Sequence, residues 1–412
     1  MSKGSSLFSP EAYSSLRYID FRRFLFSKCL LALALQMQFI VLSWQVYEIT
    51  KDPLSLGFLG LAEAIPAVCF ALYGGHVADR YDRKKIAILV LTIIIFCSLV
   101  LLMLSLKGAL HSAIPFYGIM FLIGACRGFY SPATFSLMMQ LVPRESYANS
   151  STMNSTFWHI AVVIGLSTGG LMMGFFGKTI TYGTVAFIML IALLQIVRIV
   201  PKPFEKNTDK EEIFESIKTG LRFVFSNKII LGAMTLDLVA VLFGGAVSML
   251  PIFASDILHV GETGYGFLRA APFIGAVVIA LYLAHNPPLK NAGKKLLISV
   301  AGFAVCMILF AVSKNFYLSF FILAVSGIFD GVSVVIRSTI LQLMIPDNMR
   351  GRVSSVSTMF ISSSNEIGAF ESGFAAKLMG LIPSVIFGGG VALTSVAAAA
   401  WKLPSLRKLH LK

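Results

Sequence analysis

The chain has 412 residues, of which 57% are hydrophobic and 13% charged, and its mean hydropathy is +0.81. A soluble domain carries about 25% charged and about 45–50% apolar residues, so this composition excludes an ordinary water-soluble enzyme. The net charge of +14, from 34 Lys and Arg against 20 Asp and Glu, would point to nucleic acid on a soluble chain. On a membrane chain it asks instead which loops hold the cations, and no nucleic-acid partner is expected.

Residues 1–24 are polar or mixed and include Arg17, Asp20, Arg22 and Arg23. They lack the short apolar stretch and small-residue site of a cleaved signal. Apolar stretches then predict twelve helices at 25–48, 55–77, 86–106, 113–138, 152–176, 180–199, 228–254, 264–285, 295–313, 316–343, 354–380 and 383–400. Each approaches the roughly 20 residues that a bilayer requires. Breaks fall at Lys51-Asp52-Pro53, Asp79 to Lys85, Lys107-Gly108, Pro143-Arg144-Glu145, Gly177-Lys178, Pro287-Pro288 and Pro346-Asp347. With the N-terminus inside, 26 of the 34 Lys and Arg lie in the tails and the loops of one side, against five (Lys51, Lys107, Lys178, Lys314, Lys377) on the other. The positive-inside bias therefore predicts two cytoplasmic termini. The five cysteines, Cys29, Cys69, Cys97, Cys126 and Cys306, are scattered in apolar stretches and read as small buried hydrophobes.

The chain repeats itself. From Gly128 to Pro143 and from Gly331 to Pro346 the spacing is the same 15 residues, and polar sequence follows each proline. Two six-helix halves give this register, as in many secondary transporters. The expected organisation is an all-α membrane protein of two pseudo-symmetric six-helix bundles, residues 1–200 and 228–412, joined by a cytoplasmic linker, 201–227. Within the linker Ile213, Ile217, Leu221 and Phe225 recur at helical spacing, with Lys218 and Arg222 on the other side. That pattern predicts an amphipathic helix lying at the membrane interface.

Between the second and third spans the chain reads GGHVADRYDRKK, Gly74 to Lys85. This resembles the cytoplasmic loop motif of the major facilitator superfamily, Gly-x-Leu-Ala-Asp-Arg-x-Gly-Arg-Lys, with Val77 for Leu and Asp82 for Gly. FRRFLFSK before the first span, WQVYEIT at its end, Asp-Arg-x-Asp-Arg in the loop and PDNMRGRV after the tenth span are similar to its enterobactin-exporter-like branch. That branch exports siderophores and other small amphiphiles, and bacterial drug exporters share the pattern. The antiporter motif Gly-x-x-x-Gly-Pro-x-x-Gly has a counterpart in Gly165 to Gly170 that keeps glycines and lacks the proline. In the loop, Gly74 and Gly75 are expected to let two helices approach closely. Asp79, flanked by Arg80, Arg83 and Lys84, is expected to act as a conformational latch at a helix end.

Ionisable groups inside a membrane are costly and need a reason. Asp237 stands alone in span seven, with no charge between Lys228 and Asp256, and is the first candidate for proton coupling. Glu366 and Asp330 follow. Arg127, Arg337, Glu63 and Glu371 are candidates for buried charge pairing; Asp330 and Arg337, seven residues apart, share a helix face. Trp44, Gln38, Trp158, Asn154 and Phe243 are candidate walls of a substrate cavity, though packing explains each of them equally simply. No GxxxxGK[ST], HExxH, GxSxG or Cys/His metal spacing is present, so neither an enzyme nor a bound cofactor is expected. The function expected is export of a small organic molecule by a monomer in the bacterial inner membrane, driven by an ion gradient, in the first instance of protons. Import of a small solute, or a membrane sensor or scaffold that transports nothing, remain the alternatives.

Overall fold

A computed structural model describes residues 10–106, 112–201, 213–285, 290–346 and 349–410. Hydrocarbon supplies no hydrogen-bond partners, so a chain this apolar satisfies its backbone inside helices. The helices are α1 (Ile19–Thr50), α2 (Pro53–Arg80), α3 (Arg83–Leu106), α4 (Ile114–Gln140), α5 (Tyr147–Val197), α6 (Ile213–Ser226), α7 (Lys228–Phe243), the single turn α8 (Leu250–Ile252), α9 (Gly261–His285), α10 (Ala292–Val312), α11 (Phe316–Met344), α12 (Arg350–Met379), α13 (Leu381–Lys402) and the short α14 (Pro404–Arg407). Among the described residues eight are long and apolar enough to cross a membrane, or nine if α6 and α7, bent by 100°, make one span. The expected spans 152–176 and 180–199 run together as α5, broken at Gly177, where φ is +80°. A glycine takes that angle without steric cost.

Contacts divide the chain into two compact units. One comprises residues 1–42, 65–111 and 118–208, and the other residues 43–64, 112–117 and 209–412. The boundary thus falls inside α1 and α2.

In the first unit, α3 shows how one helix serves both a core and the lipid. It buries Ile86, Val90, Ile94, Cys97 and Leu101. Seven-residue spacing leaves Leu89, Phe96 and Met103 each 62% exposed on the opposite side. A lipid-facing stripe of this kind has no place on a soluble surface. Helices come closest where side chains are missing: a Cβ on Gly165 or Gly169 of α5 would meet Leu33 or Met37 of α1 at 2.5 and 2.9 Å. Only one of the two loop glycines works this way. A Cβ on Gly74 would overlap the backbone of Gly128 on α4, whereas Gly75 has nothing within 4 Å. The expectation that both permit close approach is corrected to Gly74 alone.

The second unit reproduces that device. Gly275 of α9 sits against the Ala324 carbonyl and Gly327 of α11 against the Pro272 carbonyl, with no room for a Cβ at either. Gly331 packs on Ile279 and Ala276 of α9 as its repeat partner Gly128 packs on Ala67 and Phe70 of α2. α6 docks on the core of this unit through Val224, with Leu221 packed beside it, while Phe225 is 59% exposed. Residues 202–212 of the linker lie outside the described residues. Asn227 ends the bend by accepting from the Ile229 and Ile230 amides at 3.1 and 3.2 Å, a side-chain N-cap for α7.

The largest departure from expectation is span seven, expected as a continuous 228–254. It breaks after Phe243 into a 3-10 turn at Gly245–Val247, then α8, then a π turn at Phe253–Ile257. Gly244 closes α7, and Arg269 of α9 donates Nη1 to the freed Val247 carbonyl at 2.6 Å. A broken membrane helix is tolerated where another group takes up its backbone.

The two loop glycines allow a direct comparison. Gly74→Ala should destabilise the protein by about 1–3 kcal/mol, because backbone must move to admit the methyl. Gly75→Ala should stay within about 0.5 kcal/mol of the parent. Thermal unfolding of both variants in detergent measures this, and equal melting temperatures would refute it.

Candidate functional site

α7 carries a buried acid, and α11 brings a buried base to it. Asp237 and Arg337 form an ion pair, with side chains only 7% and 11% exposed. Asp237 is not the isolated acid that its neighbours in sequence imply; its counter-charge comes from a helix a hundred positions later. Arg337 belongs to the buried-pairing candidates, and its partner is thereby identified. Burying either charge alone would be prohibitive, so each makes the other tolerable. The guanidinium is not saturated, since Arg337 Nε is buried and finds no hydrogen-bond partner among the described residues. Asp330, two turns earlier on α11, is half-buried and lies within electrostatic range of both members of the pair.

The pair lines a cavity of about 220 Å³ within the second unit, shared with Ser357 and Ser364 and with apolar Ile230, Met234 and Leu341. Ser357 and Ser364 are 7% and 2% exposed. The volume is below the roughly 300–1,000 Å³ of a pocket for a drug-sized ligand, and matches several waters or one polar arm of a larger molecule. Chemically it presents a carboxylate able to take a proton, a fixed cation and two hydroxyls, walled by hydrocarbon. Ser364 belongs to the polar run singled out in the sequence; Ser357 carried no signal there, because a serine in a membrane helix more often bonds its own backbone.

The other expected site residues are dispersed. None of Trp44, Gln38, Trp158, Asn154 and Phe243 lines this cavity. Gln38, 2% exposed, accepts a hydrogen bond from Ser98 at 2.5 Å. Trp44 stacks on Tyr265 with centroids 5.8 Å apart, and Trp158 meets His159 edge-on at 4.9 Å. Asn154 is half-buried, its Oδ1 without a hydrogen-bond partner among the described residues, and Phe243 gives its carbonyl as the surface on which Gly388 packs. Of the pairing candidates, Glu63 is buried, Glu371 accepts a long 3.5 Å bond from Ser372, and Arg127 is exposed rather than buried. The side chains of Asp79 and Glu366 lie outside the described residues. In the loop, Arg80 is exposed, Arg83 opens α3, and Lys84 donates to the Val197 and Ile199 carbonyls at 2.9 and 2.7 Å. Lys84 thus caps the C-terminal end of α5, where a cation is favoured by the helix dipole.

A family profile described as a transmembrane secretion effector, of the major facilitator type, matches residues 10–411. The chain belongs to that family. It is a membrane transporter, not an enzyme, and a multi-pass membrane protein. Among characterised relatives it is 27% identical over 328 residues to the enterobactin exporter EntS of Shigella flexneri, covering 77% of this chain and 75% of the relative. The EntS of Escherichia coli O1:K1 / APEC is 26% identical over the same length, with 77% and 76% covered. Solved structures share the fold. The nucleoside transporter NupG superposes with a TM-score of 0.72 at 12% identity, over 92% of this chain and 98% of NupG. A bacterial homolog of the human lysosomal transporter Spinster gives 0.62 at 14%, over 97% and 98%.

Removing one member of the buried pair should cost far more than removing both. Arg337→Gln leaves Asp237 uncompensated and should destabilise the protein by about 3–5 kcal/mol, while Asp237→Leu combined with Arg337→Met should be close to neutral. Melting temperatures of the three proteins decide it; a double variant as unstable as the single one would contradict this account of the pair.

Proposed function

We propose that this protein is a secondary active exporter of a small organic molecule, a siderophore-like or drug-like amphiphile, driven by proton antiport across the bacterial inner membrane, with both termini cytoplasmic. The observation that carries the reading is the buried Asp237–Arg337 pair on the wall of a cavity inside a membrane-embedded helical unit. The exporter direction and the siderophore-like class are supported by the two relatives, which are exporters of enterobactin by name. The basic loops on one side support the orientation.

The pair supplies a coupling element. With Asp237 ionised, its charge and that of Arg337 cancel, and α7 is tied to α11. A proton on Asp237 removes the anion and leaves the guanidinium uncompensated in a low-dielectric site, which favours rearrangement of the two helices. An anionic group of the substrate that binds beside the guanidinium, or the loss of the proton to the other side, restores neutrality. The two ligands then alternate because each stabilises a different state of one charge pair.

Inverted vesicles with an imposed proton gradient and a fluorescent amphiphile test the scheme. The parent protein should accumulate the dye against its gradient. Asp237→Asn keeps the shape of the side chain but cannot titrate and leaves Arg337 uncompensated, so in protein shown by melting curves to be folded uphill accumulation should be lost while downhill exchange persists. Undiminished accumulation by Asp237→Asn, with the parent's pH dependence, would place the proton elsewhere.

A further inference from the structure

Two lipid-facing stripes of the second unit end beside each other in positive charge. On α10 the exposed side chains Ile298, Val305, Leu309 and Val312 recur at helical spacing, and exposed Lys294 and Lys295 continue that stripe at the start of the helix. On α13 exposed Phe387, Thr394 and Ala398 lead to Trp401, 81% exposed, and to Lys402. The two helices touch at Gly389, where a Cβ would meet Ile308 at 2.5 Å. The chain then turns back through α14. Leu406 is fully buried against Gly232 of α7 and Gly293 of α10. The Gly293 amide donates to the Leu409 carbonyl at 3.2 Å, and the Asn291 amide to His410 Nδ1 at 3.3 Å. These contacts hold exposed Arg407 and Lys408 beside the first turn of α10.

Five cations thus gather round one tryptophan, and the chain offers them no counter-charge. No acid occurs between Glu262 and Asp330 or after Glu371, and none of the five forms an ion pair among the described residues. Lys294 and Lys295 stand in the opening turn of a helix, where the macrodipole is already positive and favours an anion. The positive-inside bias asks only that cations lie in the loops of one side. It does not ask that two segments far apart in sequence be folded onto one spot at the edge of a lipid-facing surface. An exposed indole at the end of a span, with lysine and arginine heads reaching past it, is the chemistry of the headgroup layer.

We infer that Lys294, Lys295, Lys402, Arg407 and Lys408 form a binding site for the headgroup of an anionic phospholipid in the adjoining leaflet, with Trp401 at its edge. The lipid supplies the counter-charge that the chain lacks and fastens α14 to the start of α10. This goes beyond the proposed function and is independent of substrate, direction and coupling ion.

The test is contact quenching of Trp401. The purified protein is reconstituted in bilayers of equal parts phosphatidylcholine and phosphatidylglycerol, in which either the one lipid or the other carries brominated chains. Bromine quenches a tryptophan that it touches, and the Trp401 signal is the part of the emission that Trp401→Phe removes. Quenching should report a roughly fivefold preference for phosphatidylglycerol at Trp401, the gain expected from one basic residue at an anionic headgroup. Lys294→Gln, Lys295→Gln, Arg407→Gln and Lys408→Gln together should abolish that preference. Lys314→Gln, which removes a cation beyond the opposite end of α10, should leave it unchanged. Equal quenching by the two lipids in the parent would overturn the site and leave the cations as topology determinants only. A preference that survives the fourfold change, or that falls as far with Lys314→Gln, would overturn it too. If melting curves show that the fourfold variant fails to fold, the exposed pair Lys294→Gln, Lys295→Gln decides alone: a reduced preference supports the site and an unchanged one overturns it.

Discussion

A carboxylate and a guanidinium facing each other inside a hydrocarbon-embedded helical unit are stable only together. That constraint fixes much of the second unit. Asp237 sits mid-way along α7 and Arg337 well inside α11, so both helices must run at the same depth and present matching faces. The cavity beside them is walled by Ile230, Met234, Leu238 and Leu341, with hydroxyls from Ser338, Ser357 and Ser364. The tolerance is conditional in a useful sense. Under the proposed antiport, one proton on the acid removes the compensation, and the energy of an uncompensated buried charge becomes available to move helices.

Around this element the fold is built from two kinds of contact. Glycine seams, Gly74 on Gly128 in one unit and Gly327 on Pro272 in the other, bring backbones together and leave nothing that can rearrange cheaply. Hydroxyl and ring-stack contacts are the second kind, among them Ser98 on Gln38, Ser105 on Thr179 and Phe253 on Phe310. The repeat places Gly128 and Gly331 equivalently, yet its symmetry does not extend to function. α1 runs unbroken over Ile19–Thr50, while span seven breaks after Phe243. In the register of the repeat Arg337 falls where the first half has Thr134, which donates to its own helix at the Tyr130 carbonyl. At these positions, among the described residues, the first half therefore repeats neither Arg337 nor the break in span seven.

The positions of the helices were legible in the sequence because hydropathy and punctuation both act locally. α1 ends before Lys51-Asp52-Pro53, α11 ends before Pro346, and α5 kinks at Gly177. What was not legible depends on partners distant in sequence. Asp237 looked solitary because its partner lies on another helix, and a face shared by Asp330 and Arg337 says nothing about α7. Gly74 and Gly75 are indistinguishable as letters; only the approach of α4 separates them. The break in span seven was not legible, because it depends on Arg269 of α9 taking up the Val247 carbonyl. That α6 joins the core of its unit through Val224 was not legible either, because the stripe marks an apolar side without saying what it meets.

The central claim is that substrate moves in exchange for protons because of the Asp237–Arg337 pair. Proton flux in proteoliposomes containing a trapped pH-sensitive dye tests it most directly. Substrate added to the parent protein should drive a proton movement of opposite direction. The same addition to the doubly neutral Asp237→Leu, Arg337→Met protein, shown to be folded, should drive none. Undiminished proton movement in the doubly neutral protein would contradict the account.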